Sequence, residues 1–358
     1  IERREGQEMT RDEARQLARR IAAIAGYPAF YLFCVLFFTG LCFPFETLKE
    51  RIVLTFNAQQ RAAGAPQELQ IDDLSSSWLT GVKATGVRLV RPSSDPKTPP
   101  VTLAIDEARA HLSLLGLLVG HKTVTFSLKG FGGEADGEFE EQGKDRHVEV
   151  DLDSVDIGQI QPLTQMIGMP LEGKFSGSIV IDMPEGKATK GTGSVALEGT
   201  DIAVGDGKAK LKGALALPRL SIGGLSIAAD AKDGVLKITK FSAGGKDVDL
   251  SGDGKVLMRD IATDSICDVQ LKFKINDGYR GKTDVTKNLF GAPGSSRGGD
   301  VELFVPQMKA AKRSDGYYGF HVRGLLGKPD FDPAPNFVGP GGVGGGASER
   351  PAPSSGRP

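Results

Sequence analysis

The feature that most constrains the fold is a two-residue period of apolar and polar side chains. In TVTFSLK (residues 123–129), Val124, Phe126 and Leu128 alternate with polar residues, and DVQLKFKI (residues 268–275) repeats the pattern. Such alternation is typical of β-strands with one buried and one solvated face. Further strands are predicted in KAKLKGALAL from Lys208, VLKITKF from Val235, DVDLSG from Asp247 and VELFV from Val301. Turns are predicted at Asp206-Gly207, Asp233-Gly234 and Asp253-Gly254.

Glycine content and net charge further limit the fold class and the kinds of partner that we expect. The 358 residues include 48 glycines but only 7% aromatic residues, which is typical of turn-rich β structure with a flexible segment. The 44 basic and 45 acidic side chains nearly cancel, so we expect no nucleic-acid partner. Two short apolar stretches, residues 112–119 and 156–169, are predicted as helices that could close the ends of a sheet.

An uncharged run of 25 residues extends from Ile21 to Phe45. It can cross a bilayer as a helix, which needs about 20 residues. A cleaved secretory signal and a buried core helix are alternatives. However, no small-x-small cleavage site ends the run, and core helices rarely stay apolar on every side for this length. The residues that we assign to the membrane anchor are Tyr27, Phe30, Tyr31, Leu32, Phe33, Val35, Leu36, Phe37, Phe38, Leu41 and Phe43.

The basic residues around this run indicate its orientation. Six arginines precede it, whereas only Lys49 and Arg51 follow closely, which favours a cytoplasmic N-terminus. We therefore predict a cytoplasmic segment at 1–20, a transmembrane helix at 21–45, and a periplasmic stalk helix at 46–66. A periplasmic β-rich domain is predicted at 67–328, and residues 329–358 are predicted to form a disordered tail because they are rich in Gly and Pro.

Residues with catalytic or ligand-binding potential do not form a recognised motif. The four histidines, His111, His121, His147 and His321, lack metal-binding spacing, and acidic runs at 134–141 and 151–156 lack calcium-loop spacing. Two of the three cysteines lie in the anchor, and Cys267 is expected to be a small buried strand residue. We predict no catalytic residue, no metal site and no cofactor. Trp78 is expected to be a core residue or a partner-facing aromatic.

Several segments resemble a family when taken in order. They are FPFETLKERIVLTFNAQ (43–59), LSSSWLTGVKATGVRLV (74–90), ARAHLSLLGLLVGHKTVTFSLKGFGGEADGEF (108–139), IGMPLEGKFSGSIVI (167–181), GGKDVDLSGDGKVLM (244–258) and YYGFHVRGLLGKPDFDP (317–333). Together they resemble the deltaproteobacterial form of type II secretion system protein N and, more distantly, the AsmA-like proteins of Gram-negative envelopes.

The resemblance implies an inner-membrane protein with an elongated, curved antiparallel β-sheet in the periplasm. The implied function is a non-catalytic accessory subunit of type II secretion, with other secretion-system envelope proteins as partners. An AsmA-like lipid-binding or lipid-transfer scaffold is the alternative, and an envelope hydrolase is a third, weaker hypothesis. Within the matching segments, we take as candidate partner or family-motif positions Trp78, Gly81, Gly132, Gly133, Gly173 and Gly177.

Overall fold

The computed structural model describes residues 26–28, 30–31, 33–35, 37–38, 43–62, 67–77, 80–91, 100–208, 210–211, 215–295 and 298–336. Its helices are α1 (Phe45–Ala62), α2 (Leu114–Leu118), α3 (Gln161–Ile167), α4 (Asp277–Arg280), α5 (Asp284–Phe290), α6 (Asp300–Phe304) and α7 (Pro306–Ala311). Its strands are β1 (Glu68–Gln70), β2 (Asp73–Ser77), β3 (Gly81–Arg91), β4 (Val101–Leu112), β5 (His121–Gly130), β6 (Gly133–Gln142), β7 (Asp145–Asp156), β8 (Leu171–Met183), β9 (Thr192–Val204), β10 (Lys210–Leu211), β11 (Leu215–Ala216), β12 (Leu220–Lys232), β13 (Val235–Gly244), β14 (Val248–Leu257), β15 (Ile266–Ile275), β16 (Tyr318–Leu325) and β17 (Lys328–Pro333).

Fifteen of these strands form one open antiparallel sheet in which chain neighbours pair with each other. From β3 to β9 each strand pairs with the next, β12 then follows β9, and the order continues to β17. Short connections favour this meander, because a tight turn can join only antiparallel strands. At the β12–β13 turn, Asp233 and Gly234 both have positive φ, as a two-residue hairpin requires. The mainly β class with a few short helices is therefore confirmed.

The first edge of the sheet is a single strand with one interruption. Both β1 and β2 pair with β3, and the same register joins Glu68 to Val90 and Ser77 to Gly81. The break falls at Asp72, whose carboxylate accepts a hydrogen bond from Arg88. Helix α1 covers this edge, because Asn57 exchanges hydrogen bonds with Leu69 and the Lys49 ammonium donates to the carbonyl of Asp72.

Helix α1 lies in the segment where the stalk helix is predicted. Its apolar residues Leu48, Val53 and Phe56 are half-buried, whereas Ile52 and Leu54 are exposed. One side of α1 therefore packs on β1 and β2, and the helix is only partly amphipathic. Its role as a stalk stays a prediction.

A cluster of helices closes one end of the later strands. Tyr279, Leu289, Phe290 and Val301 from α4, α5 and α6 pack against Leu220, Val248 and Ile275 of the sheet. The phenol of Tyr279 is fully buried and donates a 2.6 Å hydrogen bond to the carbonyl of Pro218. A smaller core joins Ile157, Leu171 and Ile202 beneath α3. Helices form over 114–118 and 161–167, inside the two stretches where the sequence predicts them.

The predicted strand VELFV is wrong, because residues 300–304 form α6. Val301 is buried in the helical cluster, and Val305, four residues later, packs against the same cluster. A spacing of four residues places both on one face of a helix. VELFV has only five residues, so its two-residue period does not exclude the 3.6-residue period of a helix.

Two further turn and strand predictions are also wrong in part. The described strand residues of KAKLKGALAL do not join the large sheet, because Lys210–Leu211 pair with Leu215–Ala216 in a separate two-stranded sheet. Asp253-Gly254 lies inside β14 and is not a turn. A Cβ at Gly254 would lie 2.4 Å from the carbonyl oxygen of Asp268, so this glycine allows β14 and β15 to approach closely.

The predicted boundary of the disordered tail at residue 329 is also wrong. Residues 328–333 form β17, which pairs with β16 and places Phe331 opposite Val322. The guanidinium of Arg323 also pairs with the carboxylate of Asp332. These contacts order a segment whose Pro and Asp content alone favours disorder. Residues 337–358 lie outside the described part of the chain.

The predicted cytoplasmic segment, residues 1–20, lies outside the described residues, and the predicted membrane helix is described only in part. Of the residues assigned to the anchor, Leu32, Leu36 and Leu41 are outside the description. The described residues between 26 and 38 are helical, and Tyr27, Tyr31 and Phe38 are at least 60% exposed. Among the residues that the structure describes, none of the helices has both the length and the hydropathy that a membrane span requires.

Candidate functional site: the apolar face of the sheet

The register of the sheet collects its apolar side chains on one face. Val150, Ile179, Val195, Ala229 and Ile238 lie opposite one another in a row that crosses β7, β8, β9, β12 and β13. Directly opposed residues of antiparallel strands point to the same side of a sheet. The row is therefore a continuous apolar stripe across five strands.

A second row lies beside the first. Leu152, Gly177, Leu197, Ile227 and Phe241 are opposed in the same way across the same strands. Gly177 has a φ of 143°, and a Cβ there would lie 2.0 Å from the carbonyl oxygen of Ala196. The absence of a side chain at this position brings the backbones of β8 and β9 together and leaves a gap in the stripe.

Within the part of the chain that the structure describes, the helices cover this apolar face only at its ends. The α4–α7 cluster packs on Val248, Phe273 and Ile275, and α3 packs near Leu171 and Ile202. Between these two cores, Val150, Ile179, Val195, Leu197 and Ile227 are only half-buried. Burial of apolar surface stabilises a protein by roughly 25 cal/mol per Å², so covering the exposed part of these side chains would be favourable. The middle of the face is therefore a surface that a second apolar body can cover. We call it the central apolar strip and define it by these five residues.

A cavity of about 440 Å³ lies where distant parts of the sheet approach each other. Leu89 and Leu103 from β3 and β4 line it together with Pro162 of α3 and Gly327 of the β16–β17 turn. Strands near the start and the end of the meander thus contribute to one apolar space. Gln67 and Arg91 supply the polar part of its lining.

The opposite face of β5 to β8 is strongly acidic. Asp136 faces Asp151, and Glu138 faces Glu149, across β6 and β7. Like charges in this arrangement are destabilising. Basic and imidazole groups at the margins offset part of the cost: Lys129 lies 3.2 Å from Glu134, and Nδ1 of His121 lies 2.7 Å from Glu140. Within the described ranges, no group of three or more His, Cys, Asp and Glu residues could hold a metal ion.

The glycines selected from the sequence are spread over three regions and do not form one site. Gly81 begins β3, where a Cβ would lie 2.2 Å from Nδ1 of His111, while Gly132 and Gly133 are at the β5–β6 turn. Gly173 and Gly177 are both in β8, and a Cβ at either would meet atoms of β9. The structure therefore explains Gly81, Gly133, Gly173 and Gly177 by close approach of backbone or side chains. Trp78 lies outside the described residues.

Cys267 is buried in β15, as expected from the sequence. Burial raises the pKa of its thiol, and the thiol donates a 3.3 Å hydrogen bond to the carbonyl of Gly324. A high thiol pKa lowers the thiolate fraction at neutral pH. Cys267 is therefore a structural residue with low nucleophilicity.

Sequence reasoning missed the polar network inside the helical cluster. The buried phenol of Tyr318 donates to a carboxylate oxygen of Glu302 at 2.9 Å, and Lys312 lies 2.8 Å from the same oxygen. Burial raises the pKa of both Tyr318 and Tyr279. Two local signals could have indicated these helices: Thr283 is an N-cap with a reciprocal bond to Thr286, and Pro306 starts α7.

Comparisons of this chain with protein-family models, with curated proteins and with solved structures found no match.

Proposed function

We propose that this chain is a non-catalytic accessory subunit of the type II protein secretion system. In this proposal residues 21–45 anchor it in the inner membrane, and the sheet is a periplasmic scaffold that binds other secretion-system envelope proteins. The ordered set of segments that resembles secretion protein N supports the assignment. The observation that carries the scaffold role is the 15-stranded sheet with an incompletely covered central apolar strip.

The arrangement of the sheet suits a scaffold better than an enzyme. The histidines in the described ranges lie on separate strands, at His111 in β4, His121 in β5, His147 in β7 and His321 in β16. His121 and His147 are each bonded to a carboxylate on the neighbouring strand. These pairs are cross-strand contacts of a solvated face. They support a non-catalytic role, with the apolar strip as the binding surface.

A secretion assay tests the proposal directly. Deletion of the encoding gene is expected to reduce export of type II substrates, and the full chain supplied in trans is expected to restore it. The full chain, solubilised in mild detergent, is expected to co-purify with other inner-membrane components of the apparatus. Normal export of every substrate in the deletion strain would overturn the secretion role. A reporter fused after residue 62 tests the periplasmic location separately.

A lipid-binding or lipid-transfer scaffold of the AsmA-like type is the second candidate. The specific observation that favours it is the combination of the half-buried strip with the 440 Å³ apolar cavity. The approach of Gly327 to Leu89 and Leu103 supports a sheet that curls, as an acyl-chain trough would require. Native mass spectrometry of the full chain is expected to detect bound phospholipid if this candidate is correct. Protein that carries none after gentle extraction would count against it.

A further inference from the structure

Helix α2 presents an exposed apolar surface at the connection between β4 and β5. Leu115 is 78% exposed, Leu118 is 82% exposed and Val119 is 72% exposed, and Leu114 and Leu117 are also exposed. Single exposed apolar residues are ordinary, but a contiguous group of this kind marks an interaction surface. We call residues 114–119 the α2 knuckle.

Hydrogen bonds hold the knuckle in one conformation. The hydroxyl of Ser113 accepts a hydrogen bond from the amide of Gly116 at 3.2 Å and caps the helix. The amide of Ser113 donates to the carbonyl of Thr123 at 2.9 Å, and the amide of Val119 donates to Gly116 at 3.1 Å. The leucines are therefore displayed on an ordered turn of helix that continues the β4–β5 ladder.

The contacts of α1 define where the knuckle lies relative to the predicted membrane anchor. Asn57 contacts Leu69, and Lys49 contacts Asp72, so α1 runs antiparallel to the edge strand formed by β1 and β2. The direction from Leu69 to Ser77 is thus the direction toward the N-terminus of α1. That N-terminus, Phe45, is the last residue of the uncharged run.

The pairing of β2, β3 and β4 shows that the knuckle lies at this same end of the strands. Ser77 lies opposite Gly81, Gly81 lies opposite His111, and α2 begins three residues after His111. A strand advances about 3.3 Å per residue, so Ser77 is roughly 16 Å beyond Asp72. A helix advances about 1.5 Å per residue, so Phe45 is roughly 6 Å beyond Lys49. The knuckle therefore lies at or beyond the level at which the chain would leave the membrane.

We propose that the α2 knuckle inserts its leucines into the periplasmic leaflet of the inner membrane, beside the anchor. This inference rests on the anchoring in the proposed function and adds a second membrane contact to it. With two contacts, the first strands of the sheet are held close to the bilayer instead of moving freely on α1.

The surroundings of the knuckle favour a bilayer as its occupant. Phe43 is 41% exposed, and its ring packs against Phe45 at 5.0 Å between centroids, so aromatic residues lie at the same end of α1. A charged group at the base of the knuckle is paired, because Lys122 lies 2.7 Å from Glu141. An apolar tip above a paired charge suits the boundary between headgroups and acyl chains.

Depth-dependent fluorescence quenching tests the inference with the full chain. The chain is reconstituted into vesicles of phosphatidylethanolamine and phosphatidylglycerol, after Cys34, Cys42 and Cys267 are each replaced by Ala. Leu118→Cys carries an environment-sensitive fluorophore, and a nitroxide phospholipid is the quencher. The matched control is Ala104→Cys, an exposed position in the same strand that precedes the knuckle. We expect a blue shift and loss of most intensity at position 118, and neither at position 104.

The outcomes separate this inference from the proposed function. Carbonate extraction of the same vesicles first reports whether residues 21–45 anchor the chain. If the chain resists extraction but the two labels are quenched equally, the knuckle contact is overturned while the anchoring stands. If the label at 118 is water-exposed in vesicles but protected in cells, the occupant is a protein and the bilayer contact is overturned. If carbonate releases the chain, the anchoring fails and the inference fails with it.

Discussion

His147 and Asp182 face each other across β7 and β8, with Nδ1 of the imidazole 2.7 Å from a carboxylate oxygen. This hydrogen bond raises the pKa of His147 above its ordinary value, although partial burial acts in the opposite direction. The charged imidazole is thus stabilised in the folded state. The neighbouring carboxylate of Glu149, 3.8 Å away, adds to the same effect.

The sign of the resulting pH dependence follows from linkage. A group whose pKa is raised by folding stabilises the protein fully below its unfolded pKa, about 6.5 for histidine. That contribution is lost as the pH rises through the higher folded pKa. We therefore expect the free energy of unfolding to carry a component that falls above about pH 6.5. Because both side chains are substantially exposed, the component should be below about 1 kcal/mol.

The measurement is urea unfolding of the detergent-solubilised chain at several pH values, followed by circular dichroism. His147→Gln should remove this decline above pH 6.5, and Asp182→Asn should remove most of it, because Glu149 still lies 3.8 Å from the imidazole. Wild-type pH dependence in both variants would show that this pair does not contribute to it.

Two glycines on different strands of the sheet, one as the test and one as the control, allow the close approach of β8 and β9 to be tested. Gly177→Ala places a Cβ 2.0 Å from the carbonyl oxygen of Ala196 at a φ of 143°. The strained backbone alone should cost about 1–3 kcal/mol of unfolding free energy. Gly244→Ala is the control, because a Cβ there meets nothing within 4 Å. It should change stability by no more than about 0.5 kcal/mol. Equal urea midpoints for the two variants would contradict the geometry of β8 and β9.

Four strands of the large sheet, β5, β13, β14 and β15, could be predicted from alternation alone. β5 and β15 coincide closely with TVTFSLK and DVQLKFKI, because long strands with one solvated face keep the two-residue period for several repeats. Asp233-Gly234 also forms the predicted hairpin turn. These elements depend on local sequence, so the sequence suffices for them.

The errors occur where contacts distant in sequence decide the structure. Val301 is helical because the Tyr279 cluster buries it, and Phe331 is in a strand because β16 offers an edge. Gly254 resembles a turn residue but permits close packing against β15. The helices over 277–311 were not predicted either, since each is seven residues or shorter and shows no sustained period. Their stability comes from docking on the sheet.

The Tyr279 phenol tests how strongly the helical cluster is held. Tyr279→Phe removes the 2.6 Å hydrogen bond to Pro218 and should cost about 1 kcal/mol. Tyr279→Ala also creates a cavity in the core and should cost about 3–5 kcal/mol. The control is Tyr317→Phe, at a half-buried position whose ring lies 5.7 Å from the ammonium groups of Lys272 and Lys274. It should leave the urea midpoint nearly unchanged, and an equal loss in Tyr317→Phe and Tyr279→Phe would argue against the buried bond.

The central apolar strip gives the last prediction, because adjacent residues of β9 point to opposite faces. Leu197 belongs to the strip, whereas Ala196 is exposed on the other face. If acyl chains occupy the strip, Leu197→Gln introduces an amide that must lose hydration when lipid binds. Native mass spectrometry should then detect much less phospholipid on Leu197→Gln than on the wild-type chain. Ala196→Gln adds the same group one residue away and should retain the wild-type amount. Equal lipid occupancy in both variants would exclude the strip as the lipid site. Secretion assays on strains that carry either variant would then show whether a protein partner covers the strip. That partner should fail to bind only the Leu197→Gln variant.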